Sequence, residues 1–380
     1  MTTLLAPQAT PTAGIQEAID CLTPTGGVVE LGPGVFRLQR PVMPRDGATL
    51  RGQGACTVLT APPPFVTPLA DDTAINPTAA RVRDVGPIQP GDAVALMEVY
   101  VPGRGRHFGY HARFLDITAV PGRELQGTLL HGPTPCSYRA EQQGFVIRAF
   151  PAVFVREAAD VRIEALTIDG RCEQAPRLGD VVIYDFMLAA VLLHDARRCR
   201  VRDLTIHHWP SDGICAGGAV SDLDVSHCIV EHCRGNGFHT GGGAQAGLWT
   251  HNISRFNDRG FMFCQGNRHV ICAHNLVHHN RELGIWGLDA ADRFCVVANN
   301  VCHHNGWHGI EAQGSVANVI QGNICRNNSQ AQPGRYAGIY LREHRDNAVA
   351  NNLCLDDQER PTQLVGLDAQ PAGEASPAGA

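Results

Sequence analysis

Six stretches decide the fold: DGICAGG (212–218), NGFHTGGG (236–243), RGFMFCQG (259–266), LGIWGLDA (283–290), HGIEAQG (308–314) and AGIYLREH (337–344). Their glycines, Gly213, Gly237, Gly260, Gly284, Gly309 and Gly338, stand 24, 23, 24, 25 and 29 residues apart, so one unit is written six times. A second column keeps the register. Asn252, Asn275, Asn300, Asn323 and Asn352 fall 14 to 16 positions after a repeat glycine, and Cys228 fills that place in the first unit. Stacked asparagines can hydrogen-bond along a ladder of turns. Two positions later Val230, Ser254, Val277, Cys302, Cys325 and Cys354 form an inward stack in which cysteine serves as a small apolar filler. Short β-like runs such as GIW, RFCVVAN and NVI are separated by polar turns. This period, with several short strands per unit, predicts a parallel β-helix, whose coils bury their apolar faces only by stacking.

The repeat extends upstream. VFVREAADVRIEALTIDG (153–170) and VLLHDARRCRVRDLTIHHW (191–209) align through VR, an acidic residue and LTI, with residues 171–187 as a loop inserted at a turn. At the start, AGIQEAIDCL (13–22) puts Ile15, Ala18, Ile19 and Leu22 on one helical face, and GGVVELGPGVFRL (26–38) follows as a pair of strands. A short helix there would cover the exposed strand edges of the first coil. PGDAVALMEVY, RFLDITAV and LQGTLLHG, between residues 60 and 150, suit antiparallel strands better than coils. The expected plan is an all-β, right-handed parallel β-helix with an N-terminal capping helix and a β-rich insertion. Residues 1–59 form the cap and first coils, 60–150 the insertion, 151–365 the coils and 366–380 a disordered tail.

Composition removes several classes. The formal charge is −6 and the pI about 6.3, without a basic stripe interleaved with aromatics, so no nucleic-acid partner is expected. No apolar run reaches membrane-spanning length, and residues 1–16 lack the charged and apolar segments of an export leader. The expectation is a cytoplasmic protein without a membrane role, with non-classical export as the other route. All 31 basic residues are arginine, so lysine serves nowhere as acid, base or nucleophile. Neither a metal nor a cofactor is expected: there is no C-x-x-C pair, and histidine nitrogens would have to converge across coils. The paired histidines 278/279 and 303/304 read as capping or solvated turn residues.

Function has to come from outward positions. Alternation along each strand sends Cys215, His239, Met262, Trp286, Glu311 and Tyr340 outward, with Gly217, Gly241, Cys264, Leu288, Gln313 and Arg342 two residues on. Asp212, Arg259 and His308 in the preceding turn add a second wall. Successive coils rise roughly 4.8 Å, which makes a groove for an extended oligo- or polysaccharide. Trp286 and Tyr340 offer faces to sugar rings, while Gln313, His239, Asp212 and Arg259 offer polar contacts. Arg342 can take a carboxylate in a fork. Glu311 lies between the two aromatics, with Asp289 and His308 nearby as the other proton-handling groups.

IQEAID (15–20), GGVVELGPGVFRL and ATLRGQG (48–54), together with the later coils, resemble the pectate-lyase-like superfamily over nearly the whole chain outside 60–150 and the tail. The resemblance implies a right-handed parallel β-helix. It leaves activity open, since that superfamily includes lyases, glycoside hydrolases, epimerases and non-catalytic adhesins. LWTHN (248–252) lacks the aspartate of the pectate-lyase W-I-D-H, and polygalacturonase motifs require a lysine. The expected function is cleavage of a glycosidic bond by Glu311 and a second carboxylate. The alternatives are a lyase or C5-epimerase for uronic acids, with His239, His308 or Tyr340 exchanging the proton, and a non-catalytic binding or assembly protein.

Because the cysteines recur in core columns, thiol titration in denaturant should find close to all 14 free. A largely oxidised native preparation would overturn the reading.

Overall fold

The computed structural model describes residues 2–100, 108–132, 134–141, 144–174, 186–357 and 364–365. The expected tail lies outside these residues, as does most of the expected loop at 171–187. Among the described residues, strands from Val153–Arg156 to Leu364–Val365 pair in parallel, each with the next coil, into one ladder, the groove sheet. Val153, Val191, Ile214, Phe238, Phe261, Ile285, Ile310 and Ile339 are register partners and point into the core. A second ladder climbs from Arg200–Arg202 to Ala348–Ala350 and a third from Thr205–His207 to Leu353–Leu355. The long strand Arg162–Asp169 pairs with both and joins them. The solenoid thus has three faces.

Two tight corners, one after the second ladder and one after the third, share the same chemistry. One residue takes a positive φ: His227, His251, His274, Asn299 and Asn351 at one corner, His232, Phe256, His279, His304 and Asn327 at the other. Histidine and asparagine are enriched in this left-handed conformation. The next residue turns inward. At the first corner the backbone N–H groups of Cys228, Asn252, Asn275, Asn300 and Asn323 donate to the side-chain oxygens of Asn252, Asn275, Asn300, Asn323 and Asn352. At the second, Cys233, Asn257, Asn280 and Asn305 donate in the same way to Asn257, Asn280, Asn305 and Asn328. Corner amides that the sheets leave unpaired are therefore satisfied without water, as buried backbone requires.

The helix Ile15–Asp20 buries Ile15, Ala18 and Ile19 against the first coil, whose strand Thr2–Leu4 pairs with Gly27–Leu31. The excursion is an antiparallel sheet in the spatial order Phe65–Pro68, Phe145–Arg148, Ala93–Tyr100, Phe108–Ala119, Glu124–His131 and Ala79–Arg81. Alternation gives it two buried faces. Ala93, Ala95 and Met97 join the main core, while Val94 and Leu96 join a smaller core with Leu115, Ile117 and Val146. His131 carries this sheet onto the solenoid, its ring 5.5 Å from Phe154 and 5.2 Å from His194. No helix of the described residues is long and apolar enough to cross a membrane.

The ladder makes a direct prediction. Asn300 is fully buried, accepts from the N–H and side chain of Asn275, and donates to the Cys272 carbonyl. Asn300→Ala leaves buried groups unpaired and should remove about 2–4 kcal/mol of stability in urea unfolding, with unpaired groups at about 1–3 kcal/mol each. Asn352→Ala, at a part-exposed rung that water can reach, should lose clearly less.

Candidate functional site

The groove sheet carries the candidate residues in their expected order, but its outward face is open along only part of its length. Phe154, Leu192, Cys215 and His239 are buried, with His131 beside Phe154 and the Phe186 ring 6.2 Å from His239. From Trp286 onward the face opens: Trp286, Gln313, Tyr340 and Arg342 are half-buried. Leu288 does not continue the outward column. Gly287 adopts φ 101°, where a side chain would run into the Phe263 carbonyl, and the chain turns there so that Leu288 packs in the core.

Of the residues placed on the groove walls, Asp212 and Arg259 are bound into one network. Asp212 is fully buried: Oδ1 accepts from the Asn236 N–H at 2.6 Å, and Oδ2 lies 2.8 Å from His239 Nδ1. In the tautomer that donates Nδ1–H to Asp212, Nε2 is left to accept the Cys264 thiol at 3.1 Å. Asp212 and His239 therefore support the groove floor rather than its rim. Asn236 also accepts the Trp286 indole N–H at 3.3 Å. The Arg259 guanidinium lies 4.9 Å from the Trp286 ring centroid, and its Nε is 2.7 Å from Glu282. Indole, amide, carboxylate, imidazole and thiol are thus connected across four coils. Sequence reasoning missed Asn236 and Glu282 as members, and placed Cys264 on the outward face without a role. Asn236 and Glu282 sit in the turns before repeat glycines, the same turns that hold Asp212 and Arg259, so position was the available signal.

Glu311 is the group with the most consequential environment. Its strand Ile310–Gln313 pairs with Ile339–Arg342, placing Glu311 beside Tyr340 and Gln313 beside Arg342. Ile310 pairs with Ile285, which sets Trp286 on the other side. The side chain is about nine-tenths buried, and desolvation lifts its pKa from 4.5 to about 7 against the opposing fields of Arg259 and Arg342. A carboxyl so placed is half protonated near neutrality.

His308 and Asp289 are placed differently from their expected proton-handling roles. His308 stacks on Tyr340 at 4.6 Å, its Nδ1 accepts the Ala337 N–H at 2.8 Å, and burial lowers its pKa to about 4. It is a neutral imidazole whose basic nitrogen is occupied, suited to bracing the Tyr340 ring. Asp289 holds a turn, Oδ2 accepting from the Gln265 N–H at 3.0 Å and Oδ1 from the Ala291 N–H at 2.8 Å.

A pH-dependent stability results for Glu311. The folded chain holds the proton more tightly than the unfolded one, so this group's contribution falls as pH rises from 4.5 toward about 7 and then levels off. Glu311→Gln removes that dependence. Its stability relative to wild type should be higher at pH 8 than at pH 5, by at most about 3 kcal/mol. A difference independent of pH in paired denaturation curves would contradict the burial of this carboxyl.

Comparison with solved structures matches the chain over most of its length. The A-module of mannuronan C-5 epimerase AlgE6 from Azotobacter vinelandii is 14% identical, with 96% of this chain and 97% of that one covered and a TM-score of 0.50. The enzymatically active domain of tailspike protein 2 from bacteriophage CBA120 is 9% identical, covering 93% of this chain but 42% of its own, at a TM-score of 0.52. XylC in complex with xylose is 9% identical over 90% of this chain and 66% of that one, also at 0.52. At such identities the likeness establishes the fold. No curated protein matches the chain by sequence. The family described as right-handed β-helix region matches residues 153–300 and 189–354, together more than half of the sequence, and the chain belongs to it.

Proposed function

We propose that the protein is a carbohydrate-active enzyme that cleaves a glycosidic bond of an oligo- or polysaccharide lying along the open part of the groove. The observation that carries this reading is Glu311, a buried carboxyl with a pKa of about 7 between the half-exposed rings of Trp286 and Tyr340. Rings stacked on the two aromatics would bring the bond between them to Glu311, and a carboxyl still protonated near neutrality can pass its proton to the leaving oxygen. Gln313 and Arg342, further along the same strands, would meet hydroxyl and carboxylate groups of neighbouring sugars. The folds of the A. vinelandii epimerase module and of XylC bound to xylose are consistent with a saccharide ligand.

The arginines favour a second reading. Arg259 and Arg342 both exert their fields on Glu311. Arg259 is held by Glu282, so the cation that suits a uronic acid, whose carboxylate must be neutralised before the adjacent carbon loses its proton, is Arg342, paired at 3.3 Å with the exposed Glu343. Of the three groups considered for that proton transfer, His239 is sealed between Asp212 and Cys264 and His308 has its basic nitrogen occupied. Tyr340 remains half-exposed beside Glu311.

A panel of neutral and uronate glycans, with products resolved by mass, near-ultraviolet absorption and, for sugar configuration, proton NMR, separates the readings. Hydrolysis adds water and gives no chromophore, elimination yields an unsaturated absorbing sugar, and epimerisation changes neither mass nor absorption. For hydrolysis, Glu311→Gln should lower turnover at least about 100-fold, and wild-type activity should decline as pH rises through about 7 as the acid ionises. A near wild-type rate for Glu311→Gln would remove Glu311 from the chemistry. Loss of activity in Tyr340→Phe with absorbing products would establish the second reading instead.

A further inference from the structure

Outside the groove, the corner after the third ladder carries paired histidines. His278 ends the strand Leu276–His278 and His279 occupies the left-handed corner at φ 53°. One coil on, His303 and His304 repeat the arrangement. His278 and His303 are register partners with rings stacked at 4.8 Å, and His279 stacks on His304 at 5.1 Å. Within each pair the Nδ1 atoms face one another, at 2.8 Å for His278 and His279 and 2.9 Å for His303 and His304. Two N–H groups cannot point at each other over that distance. At least one ring of each pair therefore presents a nitrogen lone pair to its neighbour.

We propose that His278, His279 and His303 form a binding site for a divalent transition-metal ion of the zinc, cobalt or nickel class, with His304 holding the third ligand. One ligating nitrogen from each of the three lies within 4.8 Å of the others, and imidazole donors suit such ions; ligation at about 2.0–2.1 Å requires the stacked His278 and His303 rings to rotate out of their stack and converge on one ion. Water can complete the coordination, because His279 is exposed and its two partners are partly so. The arginines in the neighbouring rungs, Arg255 and Arg326, are ion-paired with Glu231 at 2.6 Å and Asp357 at 3.1 Å, which offsets their repulsion of a cation. The other corner supplies the contrast: His227, His251 and His274 also stack, at 5.2 and 5.3 Å, but with one ring per coil. Stacking accounts for that column. It does not account for paired rings that turn their Nδ1 atoms toward one another.

Two other clusters are poorer hosts. Asp212, Cys215 and His239 are all buried, and Asp212 and His239 bond to each other within the groove network. In the group Asp169, His207 and His208, the His207 Nδ1 lies between Asp169 at 3.4 Å and His208 at 3.0 Å, so its proton has a carboxylate to serve.

The test is a cobalt(II) titration of the full chain, with equilibrium dialysis and visible absorption as readouts and zinc as competitor. We expect one equivalent bound at micromolar cobalt, a spectrum of nitrogen and oxygen ligation without thiolate bands, and a raised thermal midpoint, since the ion bridges two coils. His279→Asn and His303→Gln should each weaken binding at least about tenfold, the size of loss seen when even supporting groups of metal sites are removed. Asparagine already fills the corresponding corner at Asn327 with φ 48°, so the first variant should keep the fold, and midpoints without metal verify this for each protein. His251→Asn and His208→Asn should bind as wild type. No stoichiometric binding, binding undiminished in both ligand variants, thiolate bands, or loss with His208→Asn alone would each overturn the assignment.

Discussion

The structure rests on a two-residue corner: one residue in the left-handed conformation, then an asparagine whose amide turns inward. A solenoid of short strands must bend its chain sharply several times per coil, and each bend leaves backbone N–H and carbonyl groups that no sheet can pair. The corner settles both demands. The first residue makes the bend, and the second takes the N–H of the coil before it and gives its own amide hydrogens to a carbonyl, as Asn305 does for Asn280 and Val277. Because every rung depends on the next, the ladders also fix the register that stacks Trp286, Glu311 and Tyr340 along one face.

That register turns the groove into a graded environment. Toward the first coils, aromatic and apolar side chains seal the outward positions, and polar residues there can exist only fully bonded, as Asp212, His239 and Cys264 are. Toward the later coils the seal ends, leaving indole, phenol and guanidinium half in water. Glu311 stands at the transition, buried enough to hold its proton and near enough to Arg259 and Arg342 to give it up. The same column position thus yields a thiol in the core, a structural imidazole and a titrating carboxyl, according to what lies above each coil.

Much of this was legible in the sequence because repetition converts position into geometry. The glycine and asparagine columns set the coil, and the second residue after each glycine faced outward as alternation required. The second asparagine ladder, Asn257, Asn280, Asn305 and Asn328, is equally regular in the sequence, spaced 23, 25 and 23 apart, with Phe256, His279, His304 and Asn327 at the preceding left-handed corner positions. Leu288 was misplaced because one glycine with positive φ cancels the alternation locally, which no column count reveals. The sealing of His239 and the convergence of His278, His279 and His303 were hidden for different reasons. The first depends on Phe186, outside the repeat, and on side-chain bonds to Asp212 and Cys264 within it, and the second depends on ring rotamers at a corner.

The ladders also have a direction. In each rung the backbone N–H belongs to the earlier coil and the accepting side chain to the later one. Ahead of Asn252 and Asn257 that place is held by Cys228 and Cys233, whose thiols meet the backbone of Leu204 and Trp209 one coil earlier. Sulfur is a weaker acceptor than an amide oxygen. The solenoid is therefore graded in its capacity to grow. A coil duplicated between Asn252 and Asn328 would bring its own amide acceptors and splice into both ladders, whereas one inserted ahead of Cys228 would be joined at its corners by sulfur. Lengthening of such a chain, by recombination or by an engineer, is favoured in its asparagine-bearing interior.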